Sequence, residues 1–215
     1  LTPDSLLEKK LTSMFVLNSD GGKWVAAARQ YSGYYESYNI REKIKQNGKE
    51  AFFKDLQKDL GTDVKIEAPS IDSLDNYDLP VALKYSFAIN KEEEDLLYIN
   101  PMFGEAYKEN PFKSAERLYP VEMPFAMDET YVLTMHVPAG YQVDEMPKQI
   151  AVKLNEDGDG YFEYLLSKSE NTISLRSRLK INRTSFKPEE YEYLREFFKL
   201  VVTKHSEQIV FKKIQ

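Results

Sequence analysis

His136 and His205 are the only imidazoles in this 215-residue chain, and it contains no cysteine. Thiol chemistry is therefore absent: no thiolate nucleophile, no disulfide and no cysteine-ligated zinc. A serine or threonine nucleophile needs a base beside it, and neither histidine neighbours a serine or an acid in a recognisable motif. His136 falls in an alternating apolar segment, on the face opposite Met135. His205 falls in or just after the last turn of a C-terminal helix, where the helix dipole favours a cation. Both are expected to be structural or surface residues. No Gly-x-Ser-x-Gly elbow, phosphate-binding glycine loop or His-Glu-x-x-His motif occurs. With 35 Asp and Glu, a glycosidase-like acid pair stays open, but nothing in the sequence singles out two carboxylates. The expectation is a chain with no catalytic, cofactor-binding or metal residues of its own.

Three clusters could still bind something. Asn155, Asp157 and Asp159, followed by Gly160, mimic the first half of a calcium loop, but the twelfth position is Leu166 rather than a bidentate Glu. Asp and Gly are also what a tight turn between two strands requires, so a hairpin is the preferred reading. The run Glu92-Glu93-Glu94-Asp95 reads as a solvated loop, because like charges repel unless something fixes them. Tyr34, Tyr35 and Tyr38, with Trp24 nearby in sequence, could form an aromatic platform for a sugar or peptide, although aromatics at this spacing more often belong to a core.

Composition narrows the partners. The net charge of −6 and pI of about 5.2 come without a Lys/Arg stripe, so nucleic acid is not expected as a partner. The longest wholly apolar run, Trp24 to Ala28, is far too short to span a bilayer. Fifteen Tyr and twelve Phe supply too much apolar surface for a disordered chain. Absence of cysteine fits a bacterial periplasm or cell surface. The start at Leu1 suggests a trimmed or mature fragment.

The elements that must position these residues are mostly strands. Residues 7–18 and 23–31 read as a hairpin about Asp20-Gly21-Gly22. Residues 34–46 and 49–60 read as two short helices or one bent helix, interrupted at Asn47-Gly48 and ending at Gly61. Val64 and Ile66 begin an alternating pattern. Val81, Leu83, Tyr85, Phe87 and Ile89 continue it, and Leu96 to Ile99 make a further short strand. Beyond a polar stretch at 100–113, Tyr131 to Val137, Ile150 to Leu154, Tyr161 to Leu166 and Ile173 to Ile181 each alternate. Pro188, Glu189 and Glu190 open a last helix with Tyr191, Leu194, Phe198 and Val201 as its buried stripe. Ile209 to Phe211 form a final strand. The expected fold is mainly β with a few helices, an α+β chain resembling an antiparallel β-sandwich. Two packed subdomains are expected, residues 1–105 with the inserted helical pair and residues 106–215 with the closing helix.

Several of these segments resemble a known bacterial family: Arg117-Leu118-Tyr119-Pro120-Val121, the run Val137-Pro138-Ala139-Gly140-Tyr141-Gln142-Val143, Met146-Pro147, the helix around Tyr193, and Ile209-Val210-Phe211. In the first half, the glycine hairpin, Gly33 to Arg41, Ile71-Asp72-Ser73-Leu74 and Asp78-Leu79-Pro80 add to it. The chain is similar to the C-terminal domains, of no assigned function, in multidomain transglutaminase-like proteins. That resemblance implies a β-rich tail that follows a core using a Cys-His-Asp arrangement. With no cysteine here, no catalytic residue carries over. The implied role is a non-catalytic accessory domain that supports or positions a transglutaminase-like core of the same polypeptide, or docks a partner. An independent glycan- or peptide-binding module is the alternative, and an acid-pair enzyme the third.

Overall fold

The computed structural model describes residues 7–18, 24–61, 64–89 and 94–214. Thirteen strands form among them, most of the longer ones on period-two alternation. In the first half these are β1 (Leu7–Asn18), β2 (Trp24–Tyr31), β3 (Val64–Asp72), β4 (Ala82–Ile89) and β5 (Leu96–Ile99). In the second they are β6 (Val121–Glu122), β7 (Ala126–His136), β8 (Tyr141–Glu145), β9 (Ile150–Lys153), β10 (Gly160–Ser169), β11 (Thr172–Ile181), β12 (Ser185–Phe186) and β13 (Ile209–Lys213). Two helices, α1 (Tyr34–Leu60) and α2 (Tyr191–Ser206), complete the chain, which is mostly β and of the α+β class. The glycine turn expected at residues 20–22 lies outside the described residues.

Eight strands form one sheet in the order β3-β4-β2-β1-β7-β11-β10-β9. Strands from before and after residue 105 thus share a single sheet. Every pairing in it is antiparallel except β1 with β7, which run parallel. A three-stranded sheet, β5-β13-β8, and the short β12-β6 pair are separate. The expected alternation is met: Val81, Leu83, Tyr85 and Phe87 are all buried, as are Ile173, Leu175, Leu179 and Ile181. Tyr85, Phe87 and the four β11 residues, together with Met14, Val16, Leu133, Met135, Phe162 and Tyr164, pack in one core with Leu194, Phe198 and Val201 of α2 and Ile209 and Phe211 of β13. Val81 and Leu83 instead meet Ile40 and Ile44 of α1 in a smaller cluster. One face of the large sheet is therefore covered, and the other is open.

Helix α1 is bent, as the Asn47-Gly48 break requires: Gly48 has φ 83° and ψ 162°, which interrupts the helix. Its N-terminus has an unusual cap. Gly33 at the N-cap position supplies no side chain, yet helical N–H groups there need an acceptor. Glu8 of β1 provides it, accepting from the N–H of Tyr35 at 3.1 Å and of Glu36 at 2.9 Å. A Cβ on residue 33 would lie 2.4 Å from that carboxyl group, so a side chain there would push the Glu8 carboxylate out of its capping position. Arg41, buried in α1, donates to the carbonyls of Ser73, Leu74, Asn76 and Leu79 at 2.7 to 2.9 Å. The loop after β3 is thereby moulded around one guanidinium, whose donors are arranged in a planar fork. Helix α2 is preceded by a 3-10 turn, Pro188–Glu190, in which Glu190 accepts from the Lys187 N–H at 2.7 Å.

Glu8→Ala removes the cap and leaves two N–H donors without that acceptor, so it should destabilise the chain by about 1–2 kcal/mol, while Glu8→Gln retains part of the cap. Urea titration of the two variants checks this; equal stability of wild type and Glu8→Ala would show that the cap contributes nothing.

Candidate functional site

The buried face of the sheet carries a short stretch of polar side chains where apolar ones would be expected. In the parallel ladder Lys10 pairs with Glu129, and in the neighbouring ladder Tyr131 pairs with Ser177. The loop after β5 and the end of α2 close over them, leaving a cavity of about 270 Å³ lined by Lys10, Glu105, Tyr107, Glu129, Ser177 and His205 among others. Lys10 forms an ion pair with Glu105 at 2.7 Å. Burial pulls its pKa down, but Glu105 and Glu129 outweigh burial and hold the ammonium above its ordinary value. Burial pushes the Glu129 carboxyl above the usual carboxylate range, a rise that Lys10 and the Tyr107 hydroxyl only partly offset. That hydroxyl donates to Glu129 Oε2 at 2.9 Å.

His205 shows where sequence reasoning stopped short. It does sit in the last turn of α2, but it is buried rather than exposed to the helix dipole. Burial lowers its pKa to about 4, so the imidazole is neutral and the dipole-favoured cation is not realised. Tertiary folding also brings it a serine: His205 Nε2 lies 3.0 Å from Ser177 Oγ. The pairing resembles a nucleophile with its base, but the protons are placed the wrong way round. The backbone N–H of Tyr107 donates to Nδ1 at 3.2 Å, so Nδ1 carries the lone pair and Nε2 the hydrogen. The imidazole then donates to Ser177 instead of accepting its proton, whereas a serine nucleophile needs a base with a free lone pair at that nitrogen. The only signal available in sequence was Ser177 itself, a polar residue within the apolar alternation Ile173, Leu175, Leu179, Ile181.

The other candidate residues are dispersed. His136 ends β7 on the face opposite Met135, as expected, opposite Thr172. Asn155, Asp157 and Asp159 lie in the turn between β9 and β10, and the turn is closed from within. Asn155 Oδ1 accepts from the Asp159 N–H at 3.1 Å and Asn155 Nδ2 donates to Asp159 Oδ2 at 2.7 Å. Arg183 pairs with the same carboxylate at 3.1 Å, so a cationic group already occupies it. Gly160 is the first residue of β10, where a Cβ would meet the Lys180 carbonyl at 2.9 Å. Glu92 and Glu93 lie outside the described residues. Glu94 and Asp95 engage through their carbonyls, accepting from the Tyr141 hydroxyl at 2.7 Å and the Lys213 N–H at 2.9 Å. Trp24 is buried edge-on against Phe211. It stands at the far end of β2 from Tyr34 and Tyr38, which are exposed, while Tyr35 stacks on Phe125. The four-residue platform therefore does not assemble: a strand separates its members. Leu118 and Tyr119 are exposed.

The open face of the large sheet is the second notable surface. Leu11, Phe15 and Leu17 of β1 and Val25 of β2 are 40 to 51% exposed. They adjoin one another, because Phe15 stands opposite Ala27 and Leu17 opposite Val25. No other described element covers them.

The neutral His205 makes a pH prediction. Its folded-state value of about 4 lies below the ordinary 6.5, so the unfolded chain takes up the proton first. Its contribution, about 3 kcal/mol at most, is fully present above about pH 6.5 and is lost as pH falls toward 4. Glu129, raised by burial, acts in the opposite sense, stabilising the fold at low pH relative to high. His205 is therefore read from the difference between wild type and His205→Asn, which keeps an acceptor for Tyr107. Stability measured from pH 7.5 to 4 should fall less steeply in the variant; parallel curves would mean that His205 is not the titrating group.

Comparison with known proteins adds the following. No curated protein matches the chain. A crystal structure of a "putative protease" from Parabacteroides distasonis is similar over 46% of this chain, with 17% identity and a TM-score of 0.40, and the match spans 19% of that protein's length. Residues 95–211 match the model of DUF3858, a domain of unknown function with a solved structure. That segment is more than half of the sequence and contains β5 to β12, α2 and most of β13: the chain belongs to the DUF3858 family.

Proposed function

We propose that this chain is a non-catalytic accessory module that supports or positions a transglutaminase-like, cysteine-protease-like core of the same polypeptide, or docks a partner. The observation that carries the reading is the open apolar face of the eight-stranded sheet. Contiguous exposed apolar surface on a soluble domain marks a place where another surface sits. A sheet with one face packed and the other partly apolar is in the condition of a layer awaiting its neighbour. The interior supports the same reading. The chain has no thiol, and the proton arrangement at Ser177 and His205 withholds the base that an oxygen nucleophile needs. The resemblance to segments that follow a transglutaminase-like core supplies the context, and a thiol-free composition suits a bacterial periplasm or cell surface.

One observation favours a second reading. Glu105 and Glu129 both line the 270 Å³ cavity, and Glu129 has a raised pKa, the signature of a general acid. Against it, Glu105 is committed to Lys10 and Glu129 accepts from Tyr107. The cavity is also smaller than most small-molecule sites. The aromatic-platform reading is weakened by the separation of Trp24 from the tyrosines.

The chain alone is expected to hydrolyse or cross-link no peptide amide above background. Turnover lost in both Ser177→Ala and His205→Ala would overturn the non-catalytic reading, and turnover lost in Glu129→Gln would favour the acid pair. In a polypeptide that carries the chain beside its core, deletion of residues 1–215 should lower the melting temperature or rate of the core. No change in either would remove the supporting role and leave an independent binding module.

A further inference from the structure

We infer that the open face of the eight-stranded sheet docks a folded protein domain whose contact surface has an apolar centre and a carboxylate-rich rim. The inference rests on the accessory reading and adds the surface used and the chemistry of its partner.

Charge carries the argument. Alternation places the odd-numbered residues of β1 outward, and the ladder registers extend that face across β2, β7, β11 and β10. On these five strands the outward side chains include five basic groups, Lys9, Arg29, Arg176, Arg178 and Lys180, against two acids, Asp128 and Glu163. The whole chain carries −6. The face is thus positive on a negative molecule. Both acids are already engaged: Arg178 grips Asp128 through two bonds at 2.7 and 2.8 Å, and Arg176 pairs with Glu163. Among the described residues, Lys9, Arg29 and Lys180 have no carboxylate within ion-pair distance. Arg29 lies over the Tyr31 ring instead, 4.6 Å from its centre. Lys9 and Lys180 lie in the field of Asp128, which Arg178 already holds, and Arg29 in that of Asp72; an incoming surface with carboxylates opposite these three groups would give them direct ion pairs and be steered onto the face from a distance.

The same face has a place for an anchor. Leu7, Leu11, Tyr31 and Tyr34, with Lys9 and Arg178, help line a groove of about 400 Å³ at one end of the sheet. That volume takes a large apolar side chain, and the most strongly contributing residues of an interface fill such pockets. A folded domain fits these features better than the other occupants. Nucleic acid would meet an apolar centre, not a phosphate-spaced basic stripe. A bilayer would meet side chains half-sunk among their neighbours on a sheet surface, 40 to 51% exposed. A second copy applying the same face would set five basic groups against five. A protein layer packs on a sheet at about 10 Å with interdigitating side chains, which this relief allows.

The test uses a polypeptide that carries the chain beside its core. Zero-length carbodiimide coupling followed by mass spectrometry should join Lys9 and Lys180 to Asp or Glu residues outside positions 1–215. Phe15→Thr should abolish both links, and separately the exposed pair Lys9→Glu with Arg29→Glu should abolish the Lys180 link, and each should lower the melting temperature of the core as far as deletion of residues 1–215 does. The charge-reversed pair keeps the test valid if Phe15→Thr impairs folding. If deletion destabilises the core while both variants behave as wild type, this face is not the docking surface and only the present inference fails. If deletion itself changes nothing, the accessory reading fails with it. Phe15-dependent binding of the chain to vesicles containing phosphatidylserine would overturn the protein-domain assignment in favour of a membrane.

Discussion

The register of β1 against β7 is the constraint on which the rest of the structure depends. Leu7 pairs with Ala126 and Val16 with Met135, a ten-residue parallel ladder between segments more than a hundred positions apart. Strand β1 also pairs with β2 on its other edge, so it is the seam through which early and late strands become one sheet. A slip of one residue would turn every side chain of β1 to the opposite face. Glu8 would leave the N-terminus of α1, Lys10 would leave Glu105 and Glu129, and Met14 and Val16 would give way in the core to Phe15 and Leu17. Hydrophobic burial alone specifies this register weakly, since β1 is apolar on both sides at its C-terminal end. The inward Glu8 and Lys10 decide it, because each finds its partners in one register only.

Those inward charges are costly in themselves. Removing an ion from water costs several kcal/mol, which a partner offsets only when geometry is good. Lys10 and Glu105 meet at 2.7 Å, and Glu129 is relieved by a hydroxyl and by the lysine. Tyr107 joins the two halves of this cluster, its hydroxyl donating to Glu129 and its backbone N–H to His205, which in turn meets Ser177. A polar network of this kind specifies one packing of the loop after β5 against α2.

The exterior is arranged on the opposite principle. Apolar side chains of β1 and β2 stay exposed although the chain has helices and a second sheet that could have covered them. Those elements all lie on the other face, where α2 and β13 complete the core. The uncovered face is rimmed by basic groups on a chain of negative net charge. Membership of the DUF3858 family assigns no activity, and the physical features of the face remain the more specific guide to how the molecule is used.

Local physics determined much of this protein. Alternation in β4, β7, β10 and β11, the stripe of α2, the Gly48 break and the turn at Asn155 to Asp159 all follow from neighbours in sequence, and the structure contains each of them. The absence of thiol chemistry followed from composition. What sequence did not disclose depends on contacts between distant segments. The parallel direction of β7 beside β1 cannot be inferred from alternation, which is the same for either direction. Ser177 and His205 meet only because α2 folds back across β11, and the tautomer that disarms them depends on an amide of Tyr107, 98 positions from the imidazole. Trp24 and the tyrosines are close in sequence but are separated by the length of a strand, since an extended chain advances about 3.3 Å per residue. Periodicity assigns a residue to one side of its own strand; which of the two sides is covered is decided only when helices and sheets pack, and here that choice left Phe15 and Leu17 in the open.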